Sequence, residues 1–530
     1  MALLLMLLML VGFSSMMRPS PLAADALLAE FSAARAQTHI DEIAVEPHPM
    51  GSEANGRVRA YLTGRLVALG LEPELVTAEV PDYFGAPGET VTVVDVLARI
   101  AGRDSSRVIA LVAHYDTVPT TSGANDNSAG VAAILEAARA LVAAGEPATD
   151  VILLFTDGEE PYPRFGAVAF AGLHPWFDDI DLVVNLEAIG SSGPSMLVET
   201  SPSRTPIVRD FAIAAARPAA FSFLTEMVDL FGGVGTDFDV FKDRGVPGLS
   251  FAYLRGSSIY HTDRDSIETV SSASLQHHGD NLVASVRGFG ERSPQASVDP
   301  PGEVYFALTP FFFVEYSASA AAVLGLALLG AFAAIVFFGV RSERIALGAI
   351  GRGAAVLLVG SMAAALVVYA VWWLFTAVRS TPGVWESYAY LVVLFGVAGI
   401  VLSFVGGAVA GRYTDFELSA GIVLVWVVLA VVTAGAMPGF SYLFFWPALG
   451  GVIALGLNTS GRFGTWLWLV VAAPAVVLSI PALDAFFQMA QPRPGNPDSD
   501  LTETVAVVAL LSALVIGLIV PFLSAARRRP

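Results

Sequence analysis

Apolar positions follow two different rules along this chain. Between residues about 25 and 300 they come in short β-branched runs, at 91–100, 108–114, 151–156, 182–186 and 248–254. Helical periodicity lies between the runs, most clearly at 128–144 and 271–287. Runs too apolar to alternate, separated by helices, predict buried strands. The expected fold is therefore an α/β domain with a mixed, mostly parallel central sheet and helices on both faces. From residue 318 the runs lengthen to seven spans, at 318–340, 353–375, 389–410, 418–436, 440–457, 465–486 and 504–523. Each is near the ~20 residues that cross a bilayer, which predicts an α-helical multi-span transmembrane domain and a lipid bilayer as partner. A further apolar, uncharged stretch at 2–17 reads as a signal anchor. A cleaved signal peptide is the rival, because Ala23-Ala24-Asp25-Ala26 follows. The expected organisation is 1–20 anchor or signal peptide, 25–292 globular domain, 293–317 Pro-rich linker and aromatic interfacial segment, and 318–530 membrane domain.

Charge sharpens this division. Residues 1–310 hold 39 acidic and 19 basic residues, whereas 311–530 hold 9 and 10. All seven histidines precede residue 279, and there is no cysteine. The polar chemistry is thus confined to the first part. An acidic front half excludes a nucleic-acid partner, which needs a basic face, and the missing cysteines exclude disulfides and thiolate metal sites. Among arginines flanking the spans, Arg341, Arg344, Arg352, Arg412, Arg462 and Arg527–Arg529 fall on one side, and Arg379 and Arg493 on the other. The positive-inside rule puts the larger group, with the C-terminus, in the cytoplasm and the globular domain outside it. The span interiors carry almost no ionisable residues, which argues against a transporter.

Five short segments each place a metal-type ligand at or just after a strand: Ala113-His114-Tyr115-Asp116, Gly123-Ala124-Asn125-Asp126-Asn127-Ser128, Phe155-Thr156-Asp157-Gly158-Glu159-Glu160, Asn185-Leu186-Glu187, and Tyr260-His261-Thr262-Asp263-Arg264-Asp265. Each has an ordinary explanation alone. Asp, Asn or Ser near residue 126 suits a helix cap, and Glu-Glu suits a solvated turn. Together they supply two histidines, three carboxylate ligands and a spare carboxylate. That nitrogen-and-oxygen set suits two Zn²⁺ ions with open positions.

With Pro47-His48-Pro49-Met50-Gly51-Ser52 and Gly235-Thr236-Asp237-Phe238 added, the sequence resembles the zinc aminopeptidase and glutamate carboxypeptidase family with two co-catalytic zincs. Within it, the chain is most like the multi-span endoplasmic reticulum metallopeptidase and vacuolar membrane protease branch. The resemblance implies that His114 and Glu187 bind one zinc and Glu160 and His261 the other. It also implies that Asp126 bridges them, Glu159 is the catalytic base and Asp116 supports His114 from behind. A cis peptide after Asp126 is a further family trait. Glu187, where many soluble members have Asp, and Pro161-Tyr162-Pro163 after the Glu-Glu pair are departures. The implied activity is hydrolysis of peptide substrates, as an aminopeptidase, by a water that the metals and Glu159 activate. Tyr253, Arg255 and Tyr260 are candidates to steady the oxyanion. The rivals are a carboxypeptidase, with Arg164, Arg204 or Arg255 for the substrate carboxylate, a glutaminyl cyclase on the same site, and an inactive membrane scaffold.

Overall fold

The computed structural model describes residues 2–527, apart from 86, 161–163, 202–204, 231, 292–302, 344–345, 379–383, 410–414, 459–465, 492 and 494–503. Residues 293–302 of the expected linker therefore lie outside the described residues, as do Pro161-Tyr162-Pro163, Arg204 and six arginines of the charge asymmetry (Arg344, Arg379, Arg412, Arg462, Arg528 and Arg529). The chain divides into two compact units, one of Met16–Pro301 with Arg493–Ser499, the other of Met1–Ser15, Gly302–Pro492 and Asp500–Pro530.

In chain order, helix α1 (Ala2–Ser14) belongs to the apolar unit. The polar unit then runs α2 (Ala33–Ile43), α3 (Glu53–Ala68), β1 (Glu74–Pro81), β2 (Thr90–Ile100), β3 (Asp104–His114), α4 (Ser128–Ala144), β4 (Thr149–Thr156), α5 (Phe165–Leu173), β5 (Leu182–Ala188) and β6 (Met196–Thr200). It continues with α6 (Thr205–Ala214), α7 (Ser222–Leu230), α8 (Asp237–Asp243), β7 (Gly248–Tyr253) and α9 (Ser272–Glu291). Its seven strands form one sheet in the order β1-β2-β4-β3-β5-β7-β6. The four central strands β4, β3, β5 and β7 are parallel, and β1, β2 and β6 extend the two sides antiparallel. The expected mixed sheet is present.

Strands β4, β5 and β7 are buried at every residue, so both faces must be covered. On one face Val108, Ala110 and Val112 of β3 and Ile152 and Leu154 of β4 pack with Phe170 of α5 and Phe238 and Phe241 of α8. This is the period-two alternation of a strand. Helices α2, α4 and α9 pack on one another, with α4 and α9 also against the sheet. Strand β1 was not apparent from the pattern. It buries only Val76 and Val80 of its eight residues and turns Glu74 and Glu79 to solvent, as an edge strand can.

The apolar unit adds a hairpin, β8 (Glu303–Thr309) with β9 (Phe312–Ser317), and helices α10 (Ala318–Arg341), α11 (Leu347–Val378), α12 (Val384–Val409), α13 (Asp415–Ala436), α14 (Pro438–Asn458), α15 (Trp466–Met489) and α16 (Thr504–Arg527). Six helices among the described residues are long and apolar enough to cross a membrane, and Leu3–Ser14 and Thr504–Leu518 are shorter apolar stretches. Their core centres on α13, where Val423, Trp426 and Val427 are fully buried. Gly421 lets α13 approach α11 closely: a Cβ there would lie 2.5 Å from Ala354 N and Ile350 O. Asp484, buried in α15, accepts a hydrogen bond from Tyr388 (3.0 Å).

His39 illustrates how burial couples the polar unit to pH. It lies inside α2, bonded to the Tyr61 hydroxyl at 2.7 Å, and burial, aided by the Arg65 charge, lowers it to about 4. The unfolded side chain titrates near 6.5, so the unfolded state binds the extra proton between pH 6.5 and 4. Stability from a neutral His39 is complete above that window and falls as pH falls through it. Between pH 7 and 5 the wild-type protein is expected to lose about 2 kcal/mol more than His39→Gln. Thermal unfolding of both proteins at the two pH values measures the difference, and equal losses would remove His39 as the acid-sensitive group.

Candidate metal centre

The parallel strands β3, β4 and β5 end on the same edge of the sheet, which is where their sequences place His114, Asp157-Gly158-Glu159-Glu160 and Glu187. Asp126 enters from the loop between β3 and α4, and His261 from the segment after β7. The structure brings all six expected residues together. His114 Nε2 lies 3.4 Å from Asp126 Oδ1, 3.6 Å from Glu187 Oε2 and 3.8 Å from Glu159 Oε2. His261 Nε2 lies 3.3 Å from Asp126 Oδ2 and 2.9 Å from Glu160 Oε2. The two oxygens of Asp126 thus face two different imidazoles. By distance alone, His114–Asp126–Glu160 and His114–Glu159–Glu187 each converge tightly enough to hold an ion. Donors around a tetrahedral zinc with bonds near 2.0–2.1 Å are about 3.3 Å apart, close to most of these separations.

Local hydrogen bonds aim the ligands. His114 Nδ1 donates to the Asp116 carbonyl (3.1 Å), which leaves the Nε2 lone pair facing the carboxylates. The support expected from Asp116 therefore comes mainly through its backbone. Its carboxylate, 3.5 Å from the ring, accepts the N–H groups of Glu159 (3.0 Å) and Glu160 (3.3 Å) and so fixes the Glu-Glu turn. In the Asp126 segment the helix cap falls on the neighbouring residue. Asn127 caps α4 by accepting Gly130 N–H (3.2 Å), while its amide donates to Leu186 O (2.7 Å). The Asp126–Asn127 peptide is cis. Gly130 permits the cap, since a Cβ there would lie 2.3 Å from Asn127 Oδ1. Asn185 donates to Glu187 Oε1 (3.1 Å).

One buried residue had no role in the sequence reading. Asp265 accepts the backbone N–H groups of Asn125 (2.8 Å) and Asp126 (3.0 Å) and the Asn125 side chain (2.8 Å). It binds the segment carrying His261 to the one carrying Asp126. Only its place four residues after His261 could have drawn attention to it.

The fit to a cation rests on buried atoms that approach one another closely without completing a hydrogen bond. Asp126 Oδ2, Glu160 Oε1 and His261 Nε2 are buried and make no hydrogen bond among the described residues. Burial, with Glu187, Asp237 and Glu160 close by, pushes the Glu159 carboxyl well above its ordinary range against the pull of His114. Burial alone would lower His261, but the Glu160 and Asp126 carboxylates hold it at about 10. Without a metal these groups must retain protons, and divalent cations would take their place.

A cavity of about 150 Å³ adjoins the cluster, lined by the four carboxylates, His261, Tyr260, Ala188, Ile189, Val234, Gly235 and Thr236. Of the three oxyanion candidates, Tyr260 reaches it, its ring stacked on His261 at 3.9 Å. Tyr253 lies behind, donating to Asn125 (3.1 Å), and Arg255 borders the turn at Gly190 and Gly193. Arg164 sits 3.3 Å from Asp239, outside the lining.

Comparison with known proteins bears on the polar unit. Residues 95–286 match the sequence model of peptidase family M28, in agreement with the resemblance carried by the motifs. The vacuolar membrane protease of Eremothecium gossypii is 31% identical over 293 residues, 51% of this chain and 28% of that protein. Endoplasmic reticulum metallopeptidase 1 of Rattus norvegicus is 27% identical over 279 residues, 49% of this chain and 31% of that protein. The chain spans less than a third of the length of these curated relatives. Among solved structures, a Zn-dependent exopeptidase from Parabacteroides distasonis aligns with TM-score 0.42 and 19% identity, over 49% of this chain and 99% of that one. A glutaminyl cyclase from Porphyromonas gingivalis aligns with TM-score 0.40 and 18% identity, over 48% and 97%.

Replacing a shared ligand should cost more metal than replacing a supporting residue. Asp126→Ala is expected to lose most of its bound zinc, and Asp116→Asn to bind it about 10–100-fold more weakly. Metal analysis of the purified variants after dialysis against a range of free zinc decides. Equal loss in the two would return Asp126 to a role in the turn before α4.

Proposed function

We propose that this chain is a membrane-anchored di-zinc metallopeptidase that removes amino-terminal residues from peptides. The observation that carries the reading is the two-sided Asp126 carboxylate, with Oδ1 toward His114, which also meets Glu187, and Oδ2 toward His261, which also meets Glu160. His114, Glu187 and Asp126 would hold one zinc, and His261, Glu160 and Asp126 the other. When bound, the metals supply Lewis-acid polarisation of the scissile carbonyl and lower the pKa of the attacking water.

The chain's own residues do the rest. Glu159 is the carboxylate left over from the two ligand sets, and it takes the proton of the water and returns it to the leaving amine. Tyr260 edges the cavity and can donate its hydroxyl to the developing oxyanion. The lining favours an aminopeptidase over a carboxypeptidase. It has four carboxylates to draw in a free ammonium and no Lys or Arg among the described residues to pair with a carboxylate. Arg164, the nearest candidate, is matched to Asp239. The arginine asymmetry of the spans supports a peptidase domain outside the cytoplasm, in the periplasm, cell exterior or an organelle lumen.

Glu159→Gln is expected to keep both zincs and lose about 10²–10⁴-fold or more in turnover. Full activity in that variant would take the base role from Glu159. Peptides with a free amino terminus should be cleaved and N-acetylated ones spared, while cleavage of blocked peptides from the carboxyl end would reverse the assignment. For orientation, a reporter active only outside the cytoplasm should work when fused at residue 295 and stay silent at 530. The opposite pattern would invert the topology.

A further inference from the structure

Two further buried histidines lie outside the lining of the cavity. His277 and His278 are adjacent in α9 and buried, and both close around Ser195, which is also buried, in the turn before β6. Their tautomers follow from their partners. His278 Nε2 lies 3.2 Å from the carbonyl oxygen of Glu187, which can only accept, so Nε2 carries the proton. Nδ1 then accepts the Ser195 hydroxyl at 2.7 Å, and that hydroxyl oxygen accepts the Asn281 amide at 3.0 Å. His277 is set the same way, Nδ1 accepting Ser195 N–H (3.1 Å) and Nε2 donating to Arg217 O (2.9 Å).

The position of the acceptor is what matters. The ladder between β3 and β5 ends at Val112 and Asn185, so Leu186 and Glu187 extend past their neighbour on that side. Two side chains hold this tip, Asn127 at the Leu186 carbonyl and His278 at the Glu187 carbonyl. The Tyr253 ring packs on His278 with centroids 4.8 Å apart, and its hydroxyl leads through Asn125 to Asp265 and the Asp126 N–H. The supports of Glu187 and of Asp126 therefore meet behind the site.

We infer that His278 is a positioning residue for the metal centre, holding the backbone of Glu187 so that its carboxylate meets the zinc it shares with His114 and Asp126. The inference rests on the di-zinc reading and deepens it. Glutamine at 278 can place a side-chain N–H where Nε2 stands. Asparagine reaches only the Nδ1 position, keeping Ser195 and losing Glu187.

The test uses purified full-length protein and zinc itself as the probe, titrated against a competing chelator, with thermal unfolding of each variant alongside. Wild type should bind two zincs. His278→Asn should weaken one of them by about 10–100-fold and leave the other within a few-fold, and His278→Gln should recover most of that loss. Should His278→Asn not fold, Ser195→Ala carries the test, with an expected several-fold weakening of the same single zinc. Unchanged affinity in the variant that folds, or equal weakening of both zincs, would overturn the positioning role and reduce His278 to packing. Zinc absent from the wild type would overturn the metal reading itself, and the inference with it.

Discussion

Four carboxylates cannot be gathered with two imidazoles in a largely buried space unless protons or cations offset their charge. At effective dielectric constants near 20, each like-charged pair 4 Å apart costs about 4 kcal/mol. That repulsion among Asp126, Glu159, Glu160 and Glu187 is the constraint around which the polar unit is arranged. It explains why every ligand stands at a strand tip or on a segment clamped by backbone hydrogen bonds, since freely rotating side chains would relieve the repulsion by turning to water. It also explains the further ring of buried acids. Asp116, Asp157 and Asp265 each accept N–H groups, so their oxygens hold neighbouring segments in place.

What was legible in the sequence followed from physics that acts along the chain. Strands buried on both faces read as continuous apolar runs, and a ligand placed just past such a run is conspicuous. His114, Glu159, Glu160 and Glu187 were visible for that reason, and α4 for its alanine-rich periodicity. Edge strand β1 was not, because half of its surface is wet and its glutamates dilute the pattern. Asp265 and His278 were invisible for another reason. Each is tied to a backbone group 139 or 91 residues away, an N–H donor for Asp265 and a carbonyl acceptor for His278, and a backbone group has no residue type to betray it. The part played by Asp116 was read in outline but not in detail. Its spacing from His114 suggested a carboxylate-to-ring contact, whereas the chain turns so that its carbonyl meets the ring and its carboxylate meets the next loop.

In the apolar unit, length and hydropathy made the helices plain but said little about their packing. Pro447 sits within α14 without ending it, as neighbouring helices in an apolar setting allow. The contact at Gly421 depends on a small residue opposite another backbone, which hydropathy does not register. The buried Asp484 finds its partner Tyr388 on another helix, a pairing that hydropathy does not reveal.

The bond network of Asp265 has a consequence for the order of assembly. Five of the six cluster residues precede residue 188, yet the segment holding the middle one is fastened by a carboxylate about 140 positions later in the chain. Closing so long a loop carries an entropic cost that local helices and neighbouring strands do not meet. During synthesis, the sheet edge can therefore form with its acids exposed to water and protonated or solvated, while the sixth residue and its clamp are still inside the ribosome. The cluster of six is thereby incomplete until nearly the whole polar unit has emerged.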